Sequence, residues 1–251
     1  MNSEHPEYNR DTNPYPSFGK KYNSERAIIS LTSWKARINT VSKTLYSLLT
    51  QCKGFHIVLV LSEEEFPKMM DELPDDLKLF VDNELIEILW IYKNYKSLKK
   101  WLFTQDKYKD VPIISADDDC IYTCNYAKEL YDMYLKYPNC IITMREYILR
   151  YRISGPSALY YPYCFGKDFS IHDALSSVNY KDYEYVDDAF IEFLRCKYKD
   201  SKIICIKKRC FTFHDEIEPM HDIYNKGNYI SNLRRIQSRD AGKNIFSTIK
   251  E

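Results

Sequence analysis

Asp117, Asp118 and Asp119 stand side by side at the end of a short apolar run, residues 111–116, that reads as a buried strand. Three adjacent carboxylates repel one another, so a fold holds them by placing a cation among them or by turning them to water. Carboxylate oxygens are hard ligands suited to Mg²⁺ or Mn²⁺, and such an ion can also hold a diphosphate. In open α/β sheets the ligand crevice lies at the carboxyl ends of the strands, which is where this triplet falls. Position and chemistry agree on a metal and phosphate site; the plainer alternative is a solvated acidic turn.

The elements that must carry such a site follow from hydrophobic spacing. Residues 27–31 form a first strand and 32–37 the loop after it. Val41, Leu45, Leu48, Leu49 and Cys52 recur at helical spacing. Strands are expected at 55–61 and 85–91, with a short helical or irregular stretch from Pro67 and a helix over 95–103. Alternation of strand and helix up to about residue 120 indicates a mainly parallel sheet with helices on its faces. Beyond the triplet the pattern predicts helices over 126–137 and 186–198, and strands at 140–144, 147–153, 203–206 and 210–213. The expected organisation is a flexible leader over 1–25, one α/β domain over 26–222 and a polar, basic helical tail over 223–251.

Composition narrows the class. With 36 basic and 36 acidic residues the formal net charge is zero, so no global field favours nucleic acid. The eight cysteines form no C-x-x-C pair and no His-x-x-x-His accompanies them, which argues against zinc. No apolar signal-peptide core opens the chain, and no apolar stretch is long enough to span a bilayer. A cytoplasmic protein with reduced thiols is expected. The 23 tyrosines supply rings that suit half-buried surface or stacking on sugars and bases.

Five segments, in order, carry a resemblance: Leu31-Thr32-Ser33-Trp34-Lys35-Ala36-Arg37-Ile38, Asp117-Asp118-Asp119-Cys120-Ile121-Tyr122, Gly155-Pro156-Ser157-Ala158-Leu159-Tyr160-Tyr161-Pro162, Val186-Asp187-Asp188-Ala189-Phe190 and Phe213-His214-Asp215. Over roughly residues 26–215 the sequence resembles bacterial glycosyltransferases of the GT-A fold, the family 2-like kind that builds capsule, lipopolysaccharide and O-antigen sugars. The resemblance implies a GT-A, Rossmann-like single domain and transfer from a nucleotide-diphosphate sugar, a UDP-sugar above all, with Mn²⁺ or Mg²⁺.

The resemblance also implies roles. Its Asp-x-Asp motif maps onto Asp117 and Asp119, with Asp119 the metal ligand unless the register places Asp118 there. His214 is a further metal candidate, and a nitrogen ligand tilts the choice toward Mn²⁺. Asp188, with Asp187 next, fits the base that takes the acceptor hydroxyl's proton in an inverting reaction; acidic residues at a helix start also cap N–H groups and suit the macrodipole. Thr32, Ser33, Arg37, Lys100, Asp117 and Asp118 are candidates for the nucleotide sugar, Arg37 because its fork suits planar anions. Gly155 and Pro156 read as a turn that admits the acceptor, and Tyr160 and Tyr161 as rings to stack on it. The acceptor implied is a glycan or lipid-linked hydroxyl at the inner membrane face, where Arg234, Arg235 and Arg239 can meet anionic lipid. Two other readings compete: a haloacid-dehalogenase-like phosphatase using Asp117 and Asp119, and a glycosyltransferase-like module without activity.

Overall fold

A computed structural model of the chain describes residues 15–144, 157–176, 187–198, 201–208 and 210–213. The strands are β1 (Ser17–Gly19), β2 (Ala27–Thr32), β3 (Phe55–Ser62), β4 (Glu87–Ile91), β5 (Ile113–Ser115), β6 (Cys120–Tyr122), β7 (Cys140–Met144), β8 (Ala158–Tyr160), β9 (Lys202–Ile206) and β10 (Phe211–Phe213). The helices are α1 (Val41–Leu49), α2 (Asp75–Asp82), α3 (Lys99–Lys107), α4 (Tyr126–Lys136), α5 (Ile171–Ser176) and α6 (Asp187–Tyr198).

Eight strands form one sheet in the order β1-β4-β3-β2-β5-β8-β7-β9, and β10 pairs with β6 separately. The run β4-β3-β2-β5 is parallel. β8 enters antiparallel between β5 and β7, β9 runs parallel to β7, and β1 closes the other edge antiparallel to β4. Every residue of β2, β3 and β4 is buried, because helices cover both faces. Ile57, Leu59 and Leu61 of β3 face one core with Val41, Leu45 and Leu48 of α1 and Phe80 of α2. Val58 and Val60 face the other, with Trp101 and Leu102 of α3 and Phe190 and Leu194 of α6. Alternation along each strand thus feeds two layers of helix.

Chain order reverses between β2 and β5: from β2 the chain steps to β3 and β4 on one side and returns to β5 on the other. The carboxyl ends of β2 and β5 therefore mark the switch point, where an open α/β sheet places its ligand crevice. The first half matches the periodicity closely. Three differences matter. Ser17–Gly19, inside the expected leader, pair with β4 instead of hanging free. Cys120–Tyr122, where no strand was expected, pair with β10. Ala158–Tyr160, expected near an acceptor loop, sit mid-sheet between β5 and β7. Strands of three residues are too short to show a period against their neighbours. The strand expected at 147–153 lies outside the described residues.

Candidate active site

Two loops meet in the crevice. The one after β2 carries Ser33 and Arg37; the one after β5 carries the Asp triplet. Ser33 Oγ donates to Asp118 Oδ2 at 2.7 Å and Arg37 Nη1 to Asp118 Oδ1 at 2.8 Å. The same guanidinium nitrogen lies 3.0 Å from Asp119 Oδ2. Thr44 of α1 donates its hydroxyl to the Asp118 carbonyl at 2.9 Å. Asp118 and Arg37 are both buried, so the middle carboxylate fastens the two loops together and Arg37 neutralises it. Burial raises the Asp118 carboxyl, while the Arg37 charge and the Ser33 hydroxyl act against that rise. Thr32, expected at the nucleotide, gives its hydroxyl to the Val60 carbonyl at 2.6 Å.

Lysines open α3, although cations at a helix N-terminus oppose its macrodipole; each has a carboxylate that outweighs this. Lys99 Nζ is 2.6 Å from Glu65 Oε2. Lys100 Nζ is 2.5 Å from Asp117 Oδ1 and 2.7 Å from Asp187 Oδ2, the first residue of α6. Burial would lower the Lys100 ammonium's pKa, but Asp117, Asp187 and Asp188 together drive it well above its ordinary value. Asp117 is pushed up to about 6, first by burial and then by Asp119 and Asp187, against the pull of Lys100. The Asp117 N–H donates to the Tyr122 hydroxyl at 2.8 Å.

Asp117, Asp118, Asp119, Asp187, Asp188, Ser33, Arg37 and Lys100 are therefore brought to one place. Gly155, Pro156 and His214 lie outside the described residues. Tyr160 and Tyr161 are a correction to the expected acceptor platform: both are buried. Tyr160 packs on Trp101 with ring centroids 5.3 Å apart, and the Tyr161 hydroxyl meets Ser201 Oγ at 2.7 Å. Lying in β8 or directly after it, they face core rather than solvent. Their rings serve packing in the interior, as large aromatics of a central strand do.

Beside the triplet a small cleft is lined by Thr32, Ser33, Trp34, Glu65, Asn94, Lys96 and Lys99. Glu65, Asn94 and Lys96 escaped the sequence reading, although each follows a strand end, the signal that marked the triplet. Among the described residues no group of three or more His, Cys, Asp or Glu forms a metal-holding cluster. The Asp119 charge weighs on Asp117, and the two carboxylates, though paired with Arg37 and Lys100, are hard donors of the kind a divalent cation takes together with water.

No protein-family model matches the sequence, and no curated protein matches it either. Solved structures share the fold. TarS 1–349 of S. aureus in complex with UDP-GlcNAc superposes with a TM-score of 0.53 at 10% identity, over 84% of this chain and 66% of that one. The same protein in complex with UDP gives 0.55 at 8% identity, over 90% and 67%. The glycosyltransferase GlyE of Streptococcus pneumoniae TIGR4 gives 0.50 at 14% identity, over 89% of this chain and 51% of that one. The chain has the GT-A-like fold of these proteins and spans about half to two thirds of their length.

Proposed function

We propose that this protein is a glycosyltransferase that moves a sugar from a nucleotide diphosphate donor, a UDP-sugar, to a hydroxyl of a glycan or lipid-linked acceptor. One observation carries the proposal: through Lys100, the carboxylates after β5 and those opening α6 converge at the switch point of the sheet. In that fold, TarS has been solved with UDP-GlcNAc and with UDP, which supports a uridine nucleotide as the donor's carrier.

The residues divide the work. The cleft from Thr32 to Lys99 is assigned to the nucleotide, and its lysines suit the diphosphate. Asp119, with Asp117, would hold the divalent cation, Mn²⁺ or Mg²⁺. What such an ion supplies is Lewis-acid stabilisation of the charge that grows on the leaving diphosphate. Asp118 is occupied by Ser33 and Arg37 and acts by fixing the loop on which Asp117 and Asp119 ride. Asp187 is ion-paired to Lys100, so its charge is engaged there. Asp188, next in the first turn of α6, is assigned the acceptor proton, in an inverting displacement.

An Asp pair that follows the fifth strand, in this sheet order, does not match the phosphatase arrangement, which wants it after the first. No helix among the described residues is long and apolar enough to cross a membrane; a peripheral role at the inner membrane face, through Arg234, Arg235 and Arg239, belongs to the proposal.

The test is nucleoside diphosphate release across a panel of nucleotide sugars with Mn²⁺, Mg²⁺ or EDTA, using wild type and Asp119→Ala. Metal-dependent release from one donor, reduced about a hundredfold or more in the variant, is expected. A folded wild type that binds neither UDP nor Mn²⁺, or that cleaves a generic aryl phosphate instead, overturns the proposal.

A further inference from the structure

Lys100 does more than offer a charge to a phosphate. It is almost fully buried, and its ammonium sits between Asp117 Oδ1 at 2.5 Å and Asp187 Oδ2 at 2.7 Å. The backbone beneath it is fixed: Ser30 of β2 donates its hydroxyl to the Lys100 carbonyl and also meets Thr104 Oγ1 at 2.7 Å. The ammonium itself rides on a four-carbon stem with rotatable donors. Asp117 is anchored through its N–H to Tyr122, and Asp187 through its place at the start of α6. The bridge therefore joins two fixed carboxylates through one movable cation.

A divalent cation drawing on Asp117 and this ammonium compete for the same carboxylate. An ammonium at hydrogen-bond distance in a buried site holds its partner strongly, because parting leaves a buried charge unpaired. The exchange becomes favourable only when a second anion arrives to receive the ammonium, and the donor's diphosphate is such an anion.

Resting on the glycosyltransferase reading, we infer that Lys100 is the exchangeable counter-ion of the donor site. It is the counter-ion that Asp117 and Asp187 share when the site holds no donor, and it passes from Asp117 to the diphosphate when donor and cation bind together. Asp187 is the pivot that keeps the ammonium in the crevice throughout. Lys100 is thus a positioning residue that couples cation binding to nucleotide binding, so that the cation is held firmly only with the diphosphate.

Mn²⁺ titration of the full chain, without nucleotide and with saturating UDP, measures that coupling. In wild type UDP tightens Mn²⁺ binding. In Lys100→Gln, Mn²⁺ alone binds more tightly, and the gain conferred by UDP shrinks by about tenfold, the size of one lost coupling term. Lys100→Arg keeps most of that gain. If Lys100→Gln does not fold, Asp187→Asn serves: with the pivot neutral, the ammonium concentrates on Asp117, and Mn²⁺ alone binds more weakly while UDP restores it. A spectator charge would change the Mn²⁺ affinity and leave the UDP gain intact, and a purely structural ion pair would lower stability and change neither; both results overturn the inference. Turnover of a nucleotide sugar by wild type in the same buffer keeps the glycosyltransferase reading standing when the coupling result fails. Absence of both UDP and Mn²⁺ binding in folded wild type removes both.

Discussion

Five aspartates crowd this site, and their partners separate them by task. Asp118 is buried against Ser33 and Arg37, so its charge is used inside the protein. Asp187 is held by Lys100. Asp117 shares that ammonium, while Asp119 keeps part of its surface open, with its side chain 15% exposed beside Arg37. On the proposed function Asp119 takes the cation and Asp188 the proton. Replacing a general base with its isosteric amide removes proton transfer and leaves binding contacts intact. Asp188→Asn is expected to lower kcat by about 10²–10⁴ with KM changed little. Steady-state kinetics with a matched donor and acceptor checks this, and an equal loss for Asp187→Asn with no change for Asp188→Asn would exchange the two roles.

At the scale of elements, the site depends on three placements: loops leaving β2 and β5, the start of α3 behind them, and the start of α6 opposite. α3 is gripped at both ends. Its first turn bonds to β2 through Ser30, and Lys107 in its last turn is 2.6 Å from Glu87 Oε1 of β4 and 2.9 Å from Ser17 Oγ of β1. The edge strand β1 is itself part of that grip, and it turns on Gly19. With φ +88°, Gly19 stands in the left-handed region, and a Cβ there would come within 2.4 Å of the Ile86 carbonyl oxygen. Gly19→Ala is expected to destabilise the protein by about 1–3 kcal/mol, since strain and a backbone clash add. Faster amide exchange in β1 and along β4, with the core strands β2 and β3 unchanged, would locate the damage at this edge.

For the whole molecule, two of the buried charge clusters among the described residues stand at opposite ends of the sheet. At the carboxyl end of the sheet the carboxylates serve the site. At the opposite end Glu87, nearly fully buried, accepts from Lys107, from the Tyr108 hydroxyl at 2.6 Å, and meets His56 Nε2 at 2.7 Å. Burial by itself would raise the Glu87 carboxyl, but the His56 hydrogen bond and the Lys107 charge hold it down to about 2. A carboxyl held below its unfolded value stabilises the fold above that unfolded value and loses the contribution as pH falls through the folded one. Stability is therefore expected to fall between about pH 4.5 and pH 2 by on the order of 3 kcal/mol from this group. Urea melts over that range, with Glu87→Gln flattening the acid limb, measure it.

The alternation of strand and helix up to the Asp triplet was legible because each strand there is apolar on both faces and each helix carries one apolar stripe, patterns that need no partner to be seen. The triplet itself was legible because carboxylates crowded at a strand end need an explanation wherever they fold. Which aspartate does what was not: Asp118 and Asp119 are equivalent as letters, and only Arg37 and Ser33 arriving from β2 distinguish them. Tyr160 read as a ring to stack on the acceptor until β8 was seated between β5 and β7, where it is buried and packs on Trp101. Glu65, Asn94 and Lys96 acquire meaning only when three strand ends align. Local pattern decides where the chain becomes strand or helix because that preference is written in neighbours along the sequence. Pairing across the sheet decides which charges meet, because Lys100, Asp117 and Asp187 reach one another only through the register of strands and the docking of α6.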